Sequence, residues 1–136
     1  MKTSNDERRR LHGKEEQACW DLLKENWERH DFSYKHRREE QPCVVLSQYS
    51  FAEKVGMDAF VSALEKRGIH KLIVFQEWHP DGTAPVWEQS VKVFYPHYNG
   101  AECIALSKEG DMLFYASHEG SVTVSGARGL ECLEEM

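Results

Sequence analysis

Short runs of β-forming residues follow one another through the second half of the sequence, and they constrain the fold more than any other feature. Turn segments such as Lys108–Asp111 and Ser117–Gly120 separate these runs. Runs this close together pair antiparallel, because a parallel connection needs a crossover of about a dozen residues or more. The sequence therefore predicts an antiparallel meander with strands over Val91–Tyr95, Glu102–Leu106, Asp111–Ser117 and Ser121–Ser125.

A helix that leads directly into a strand precedes the meander. Apolar residues at three- and four-residue spacing predict a helix over Asp58–Arg67, with an extra turn across Phe51–Val55. Gly68 follows it at the position where a left-handed C-cap favours glycine. The run Ile69–Trp78 then predicts the strongest strand of the chain, and Cys43–Ser47 predicts a short buried strand ahead of the helix.

The N-terminal part of the chain has a helical pattern. Residues Asn5–His30 contain no proline and are rich in helix formers, and their apolar residues recur at helical spacing, which predicts one long amphipathic helix. The part before Gly13 is either helical or frayed. The segments Asp31–Pro42 and His79–Pro85 are polar or contain proline and glycine, and they predict a connector and a loop. Glu131–Met136 predicts a last half-turn of helix or a frayed end. The apolar stripe of the long helix consists of Leu11, Ala18, Cys19, Leu22, Leu23 and Trp27.

These elements indicate the α+β class. A chain of 136 residues is the usual size of one domain, so we expect a single domain over 1–136, with the helix and connector in 1–40 and the sheet-forming part in 41–136. We expect a mostly antiparallel sheet of five or six strands, with the long N-terminal helix and the central helix packed on one face. Both faces carry apolar groups, which favours partial cover of the second face. Strand alternation divides these groups into Met112, Phe114 and Ala116 on one face and Leu113, Tyr115 and Ser117 on the other.

Composition narrows the classes of function. The net charge is −6, and residues 1–40 hold ten Lys/Arg against ten Asp/Glu while residues 41–136 hold seven against thirteen. An acidic sheet-forming part disfavours nucleic acid, which needs a basic face, and favours a basic protein partner. No segment has the roughly 18 apolar residues of a membrane span, and the N-terminus has no apolar signal region. The four cysteines lack C-x-x-C spacing, so we expect reduced, mostly buried thiols in a cytoplasmic protein.

The stretch FYASHEGSVTVSG places Ser117, His118 and Glu119 side by side, and these are the residue types of a hydrolytic triad. A triad needs its three groups end to end within hydrogen-bond reach. In an extended strand Ser117 and Glu119 would point to one face and His118 to the other. A hairpin turn with Gly120 at positive φ is therefore the favoured interpretation.

A metal-dependent enzyme or small hydrolase is the alternative hypothesis. Glu77 and His79 share one side of a strand end, and Asp81 follows. A carboxylate and an imidazole at this spacing bind a transition metal if His97 or His118 supplies a further ligand. Nothing in the sequence brings these groups together, so we expect no metal and no cofactor.

The favoured hypothesis is a recognition surface. Tryptophan and tyrosine are enriched at binding hot spots because they bury a large area at low entropic cost. Acidic residues accompany aromatic residues and histidines around the predicted loops, and we expect the loop aromatics Trp87 and Tyr98 and the imidazole of His97 to lie at the surface. The predicted partner-binding residues are Glu77, His79, Asp81, Trp87, Glu88, His97 and Tyr98.

The last part of the chain resembles a known group of proteins. From Ala101 through FYASHEGSVTVSG to Leu130, it resembles the C-terminal hairpin of small bacterial immunity-type proteins of polymorphic toxin systems. The resemblance implies a non-enzymatic protein that binds and blocks a cognate toxin. It carries over no binding residues, and the N-terminal helix and the proline-containing loop lie outside it.

Overall fold

The core of the fold is a seven-stranded antiparallel sheet, seen in a computed structural model that describes residues 8–30, 33–36, 43–76, 86–93, 103–117 and 120–134. The strand order is β1-β6-β5-β7-β8-β9-β4, and a separate hairpin joins β2 to β3. The strands are β1 Arg8–Arg10, β2 Trp27–His30, β3 Ser33–His36, β4 Cys43–Ser47, β5 Lys71–Gln76, β6 Val86–Ser90, β7 Cys103–Ser107, β8 Leu113–Ala116 and β9 Ser121–Ser125. The helices are α1 Gly13–Asn26, α2 Gln48–Lys54, α3 Met57–Lys66 and α4 Ala127–Glu134, with a 3-10 turn over Val91–Val93.

The predicted α+β class and the predominantly antiparallel sheet are confirmed. The sheet has more strands in the described residues than the five or six expected. Strand β1 comes from a segment that we predicted as helix, and β6 comes from residues between the predicted loop and the next predicted strand, to which we assigned no strand. The central strands are buried on both faces, and all five residues of β7 are inaccessible or nearly so. Other elements must cover both faces of such strands, since an uncovered face would leave apolar side chains in water.

Two hydrophobic cores provide that cover. On one face, α2, α3 and α4 contribute Phe51, Phe60 and Cys132 to a core with Met112 and Phe114 of the sheet region. On the other face, α1 packs through Trp20 and Leu23, among others, onto Phe75, Ile104 and Tyr115. The long N-terminal helix and the central helix thus lie on opposite faces rather than on one, because the apolar side chains of β7 and β8 alternate between two equally buried faces.

The β8–β9 hairpin matches its prediction closely. Phe114 pairs with Val124 and Ala116 pairs with Val122, and the two strands meet at a turn that contains Gly120 at φ +91°. Met112, Phe114 and Ala116 lie in the core under α3, whereas Leu113 and Tyr115 lie in the core under α1. Strand alternation alone therefore assigned the faces correctly.

The predicted N-terminal helix is wrong at both ends. Residues Arg8–Arg10 form β1, which pairs antiparallel with β6, and the Leu11 N–H donates to the Val86 carbonyl at 2.9 Å. The helix begins only at Gly13, which has φ +57°, and it ends where Trp27 turns extended. Trp27 is 1% exposed and its Nε1 donates to Ser125 Oγ at 3.2 Å, so burial in the sheet core overrides its helical pattern.

The central helix and its stop agree with prediction. The helix α3 ends at a Schellman motif, in which the Ile69 N–H donates to the Leu64 carbonyl at 2.9 Å and Gly68 adopts φ +81°. The β5 strand follows directly, as expected. The predicted strand over Val91–Tyr95 is wrong at its start, because Val91–Val93 form a 3-10 turn after β6.

Helix α4 is longer than the half-turn that we predicted for the C-terminal residues. The Arg128 guanidinium holds it in place, since Nη1 donates to Asp111 Oδ2 at 3.1 Å and to Glu109 Oε1 at 3.3 Å. Its Nη2 also donates to the carbonyl of Arg67 at the end of α3. Arg128, which precedes the predicted range Glu131–Met136, thus joins α4 to the turn between β7 and β8 and to the end of α3.

Candidate binding surface

The predicted partner-binding residues fall into two groups. Trp87 and Glu88 lie on β6 and can be placed. The other five, Glu77, His79, Asp81, His97 and Tyr98, lie outside the described residues, as does the predicted loop His79–Pro85.

Trp87 does not lie in a loop at the surface. It occupies the second position of β6 and pairs with Val74 of β5. Its side chain is half-buried and packs against the core under α3. Its hydrophobic area therefore contributes to the fold, because a strand position next to a buried core places the indole against that core.

Glu88 is surrounded by cations from three other parts of the chain. Its Oε2 accepts from Lys108 Nζ at 2.7 Å, and its Oε1 lies 3.3 Å from Arg9 Nη2 and 4.0 Å from Lys71 Nζ. The carboxylate side chain is only 13% exposed, whereas each of the three cations is about half-exposed. Arg9 also pairs with Glu15 of α1 at 3.1 Å. Glu88 thus ties β1, β5 and the end of β7 together.

The pKa values of this cluster follow from its contacts. The hydrogen bond from Lys108 holds the pKa of Glu88 below its ordinary value, with a smaller contribution from Arg9. The hydrogen bond from Arg9 likewise lowers the pKa of Glu15, and the two carboxylates raise the pKa of Arg9. These directions favour the charged forms of Glu88, Glu15 and Arg9 at neutral pH.

We expect Glu88→Gln to lower the free energy of unfolding at pH 7 by about 1 kcal/mol, because it removes a carboxylate from a partly exposed ion-pair network. The folded pKa of Glu88 lies below the unfolded one, so the network stabilises the protein above the ordinary glutamate pKa, and this stability is lost as the pH falls through the folded pKa. Urea unfolding at several pH values measures both effects. Glu53→Gln, at an exposed position on α2, is the control, and an equal loss there would contradict a specific role for Glu88.

The serine of the triad-like stretch has a structural contact. The hydroxyls of Ser117 and Ser121 lie 2.7 Å apart across the hairpin, and the Ser121 N–H donates to Ser117 Oγ at 3.1 Å. Ser117 is fully buried. This contact closes the turn that the sequence favoured, while His118 and Glu119 lie outside the described residues.

Cysteine and metal chemistry can be checked in the described part of the chain. All four cysteines are free thiols, and three of them are buried as expected, with Cys43 half-buried. Burial raises the pKa of Cys103 to about 12. The described residues contain no group of three or more His, Cys, Asp or Glu side chains that could bind a metal ion. The metal hypothesis depends on three histidines that lie outside the described residues, namely His79, His97 and His118.

One end of β5, one end of β6 and one end of β7 lie side by side at the same end of the sheet. Phe75 pairs with Val86, and Gln76 pairs with Cys103. The chain therefore leaves β5, enters β6 and enters β7 at neighbouring positions. Gln76 and Val86 flank segment 77–85, and Cys103 directly follows segment 94–102.

A second surface was missed by sequence reasoning. Val45 is 51% exposed and Tyr49 is 83% exposed, and both lie where β4 leads into α2. We predicted β4 as a buried strand, and its bounds are correct, but it is the last strand of the sheet in the described residues and is half-buried. A continuous apolar run does not distinguish a central strand from a terminal one, because that depends on strand order.

Comparisons of the chain with protein-family models, curated protein sequences and solved structures find no match. Across the described residues, no helix combines the length and apolar character needed to cross a membrane. The fold is that of an α+β protein with an antiparallel sheet that is covered on both faces.

Proposed function

We propose that this protein is a non-enzymatic protein-binding module, and specifically an immunity-type inhibitor that binds a basic cognate toxin. The proposed binding surface consists of segments 77–85 and 94–102, which lie outside the described residues. We call them the paired loops because three of their four ends join neighbouring strand ends. The observation that supports this proposal is the convergence of Gln76, Val86 and Cys103 at one end of the sheet.

The composition of the paired loops suits a basic partner. They contain three acidic residues, Glu77, Asp81 and Glu102, and no lysine or arginine. Aromatic residues accompany the acids and supply contact area for a hot spot. Loops at the end of a sheet commonly present a binding surface. The aromatic and imidazole side chains of the paired loops are Trp78, His79, Phe94, Tyr95, His97 and Tyr98.

Glu88 has a different part in this proposal. Its carboxylate already pairs with Arg9, Lys71 and Lys108 within the chain, so it stabilises the strands beside the paired loops. We therefore assign partner contacts to Glu77 and Asp81 rather than to Glu88. We propose a toxin as the partner because the C-terminal hairpin resembles that of immunity-type proteins. We propose that the toxin is basic because residues 41–136 are acidic.

The test begins with a tagged full-length chain, cross-linked in its native host, and continues with the purified partner in calorimetry. We expect Glu77→Lys combined with Asp81→Lys to weaken binding by about tenfold or more, because like charges placed against a basic surface repel it. Added salt should weaken wild-type binding, since it screens exposed charges. For a toxin, co-expression of the wild-type chain restores growth and the double variant does not.

The control is Glu53→Lys, a charge reversal at an exposed position on α2. It should leave the affinity unchanged within about twofold. Recovery of no stoichiometric protein partner would refute the protein-binding function. Equal affinity of the double variant and the wild type would refute the paired loops as the surface.

A further inference from the structure

The two terminal strands of the sheet differ in the features that prevent strands from pairing between molecules. The first, β1, is a run of three arginines. The last, β4, has the sequence CVVLS, with no charge and no proline. Proteins protect exposed strand edges with charged residues, proline or covering elements, because an unprotected edge adds a strand from another chain.

Part of the surroundings of β4 is also free of charge, although β3, which includes Lys35, lies against both β4 and β9. Residues 43–52 and the neighbouring strand β9 contain no charged residue, in a chain of which 29% is charged. Val45 lies at the centre of β4 and is 51% exposed, and Tyr49, in the first turn of α2, is 83% exposed. An uncharged, partly apolar strand fits a partner strand that is uncharged as well, and a second copy of this chain presents one.

We propose that β4 pairs antiparallel with β4 of a second copy about a two-fold axis at Val45, so that two sheets become one. In this register Val45 lies opposite its own copy, and Val44 lies opposite Leu46 of the other chain. Cross-strand pairs of β-branched and aliphatic residues stabilise such a ladder, and a two-fold interface is closed. The contact is short, so the dissociation constant falls in the micromolar range.

Sedimentation equilibrium of the full chain over a range of concentrations tests the proposal. The wild type forms a dimer as its concentration rises, and added salt strengthens the dimer because it screens the net charge of −6 on each copy. Toxin binding by the paired loops has the opposite salt dependence, so the two proposals succeed or fail separately. Amide exchange at Val44–Ser47 should slow as the dimer forms.

Val45→Lys is the decisive variant, since it adds a charge to the exposed centre of β4, and it should remain monomeric at all concentrations. Ala59→Lys adds the same charge at an exposed position on α3 and should dimerise like the wild type. A monomeric wild type overturns the proposal. A dimer that persists in Val45→Lys, or one that leaves β4 exchange unchanged, also overturns it.

Discussion

We expect Gly126→Ala to lower the free energy of unfolding by about 3 kcal/mol or more. A Cβ atom at Gly126 would lie 2.4 Å from the Asp111 carbonyl oxygen and 3.2 Å from the Met112 Cα. Both are backbone atoms, which cannot rotate away as a flexible side chain does. Gly126 also has φ +93°, a conformation that alanine adopts at a cost. Chemical denaturation of the purified variant measures the loss.

Gly120→Ala separates the two causes. Gly120 has nearly the same φ, +91°, but no atom of the described residues lies within 4 Å of the added Cβ. Its replacement should cost only the conformational strain, about 1 kcal/mol. If the two variants lose the same stability, the close approach between Gly126 and the turn before β8 does not have the energetic weight that we assign to it.

Phe114→Ala should lower the free energy of unfolding by about 3–5 kcal/mol. The Phe114 ring is fully buried, with its centroid 5.6 Å from that of Phe51 and 5.5 Å from that of Phe60. Its removal leaves a cavity between the sheet and two helices, and the surrounding residues close such a cavity only in part. Thermal or urea unfolding measures the change.

Tyr49→Ala is the matched control, since it also removes an aromatic ring. Tyr49 is 83% exposed on α2, so its removal should change stability by no more than about 0.5 kcal/mol. A loss of several kcal/mol at Tyr49, or a loss below about 1 kcal/mol at Phe114, would contradict the packing described for α2 and the sheet.

The candidate surfaces show what sequence reasoning supplies and what it omits. Composition indicated which segments contain acidic and aromatic residues, because residue type is visible in the sequence. The convergence of Gln76, Val86 and Cys103 required the strand register. Likewise, the sequence does not distinguish Glu88 from other acidic residues, and only the strand register shows that Arg9 lies opposite it.

The sequence by itself determined the elements that local interactions specify. The β8–β9 hairpin, the Gly68 helix stop and the bounds of β4 follow from alternation, turn residues and glycine conformation, which act over a few residues. Only the tertiary structure decided where α1 begins and ends and which face it covers. Helix propensity is worth a few tenths of a kcal/mol per residue, and strand pairing by Arg8–Arg10 and burial of Trp27 outweigh it through contacts distant in sequence.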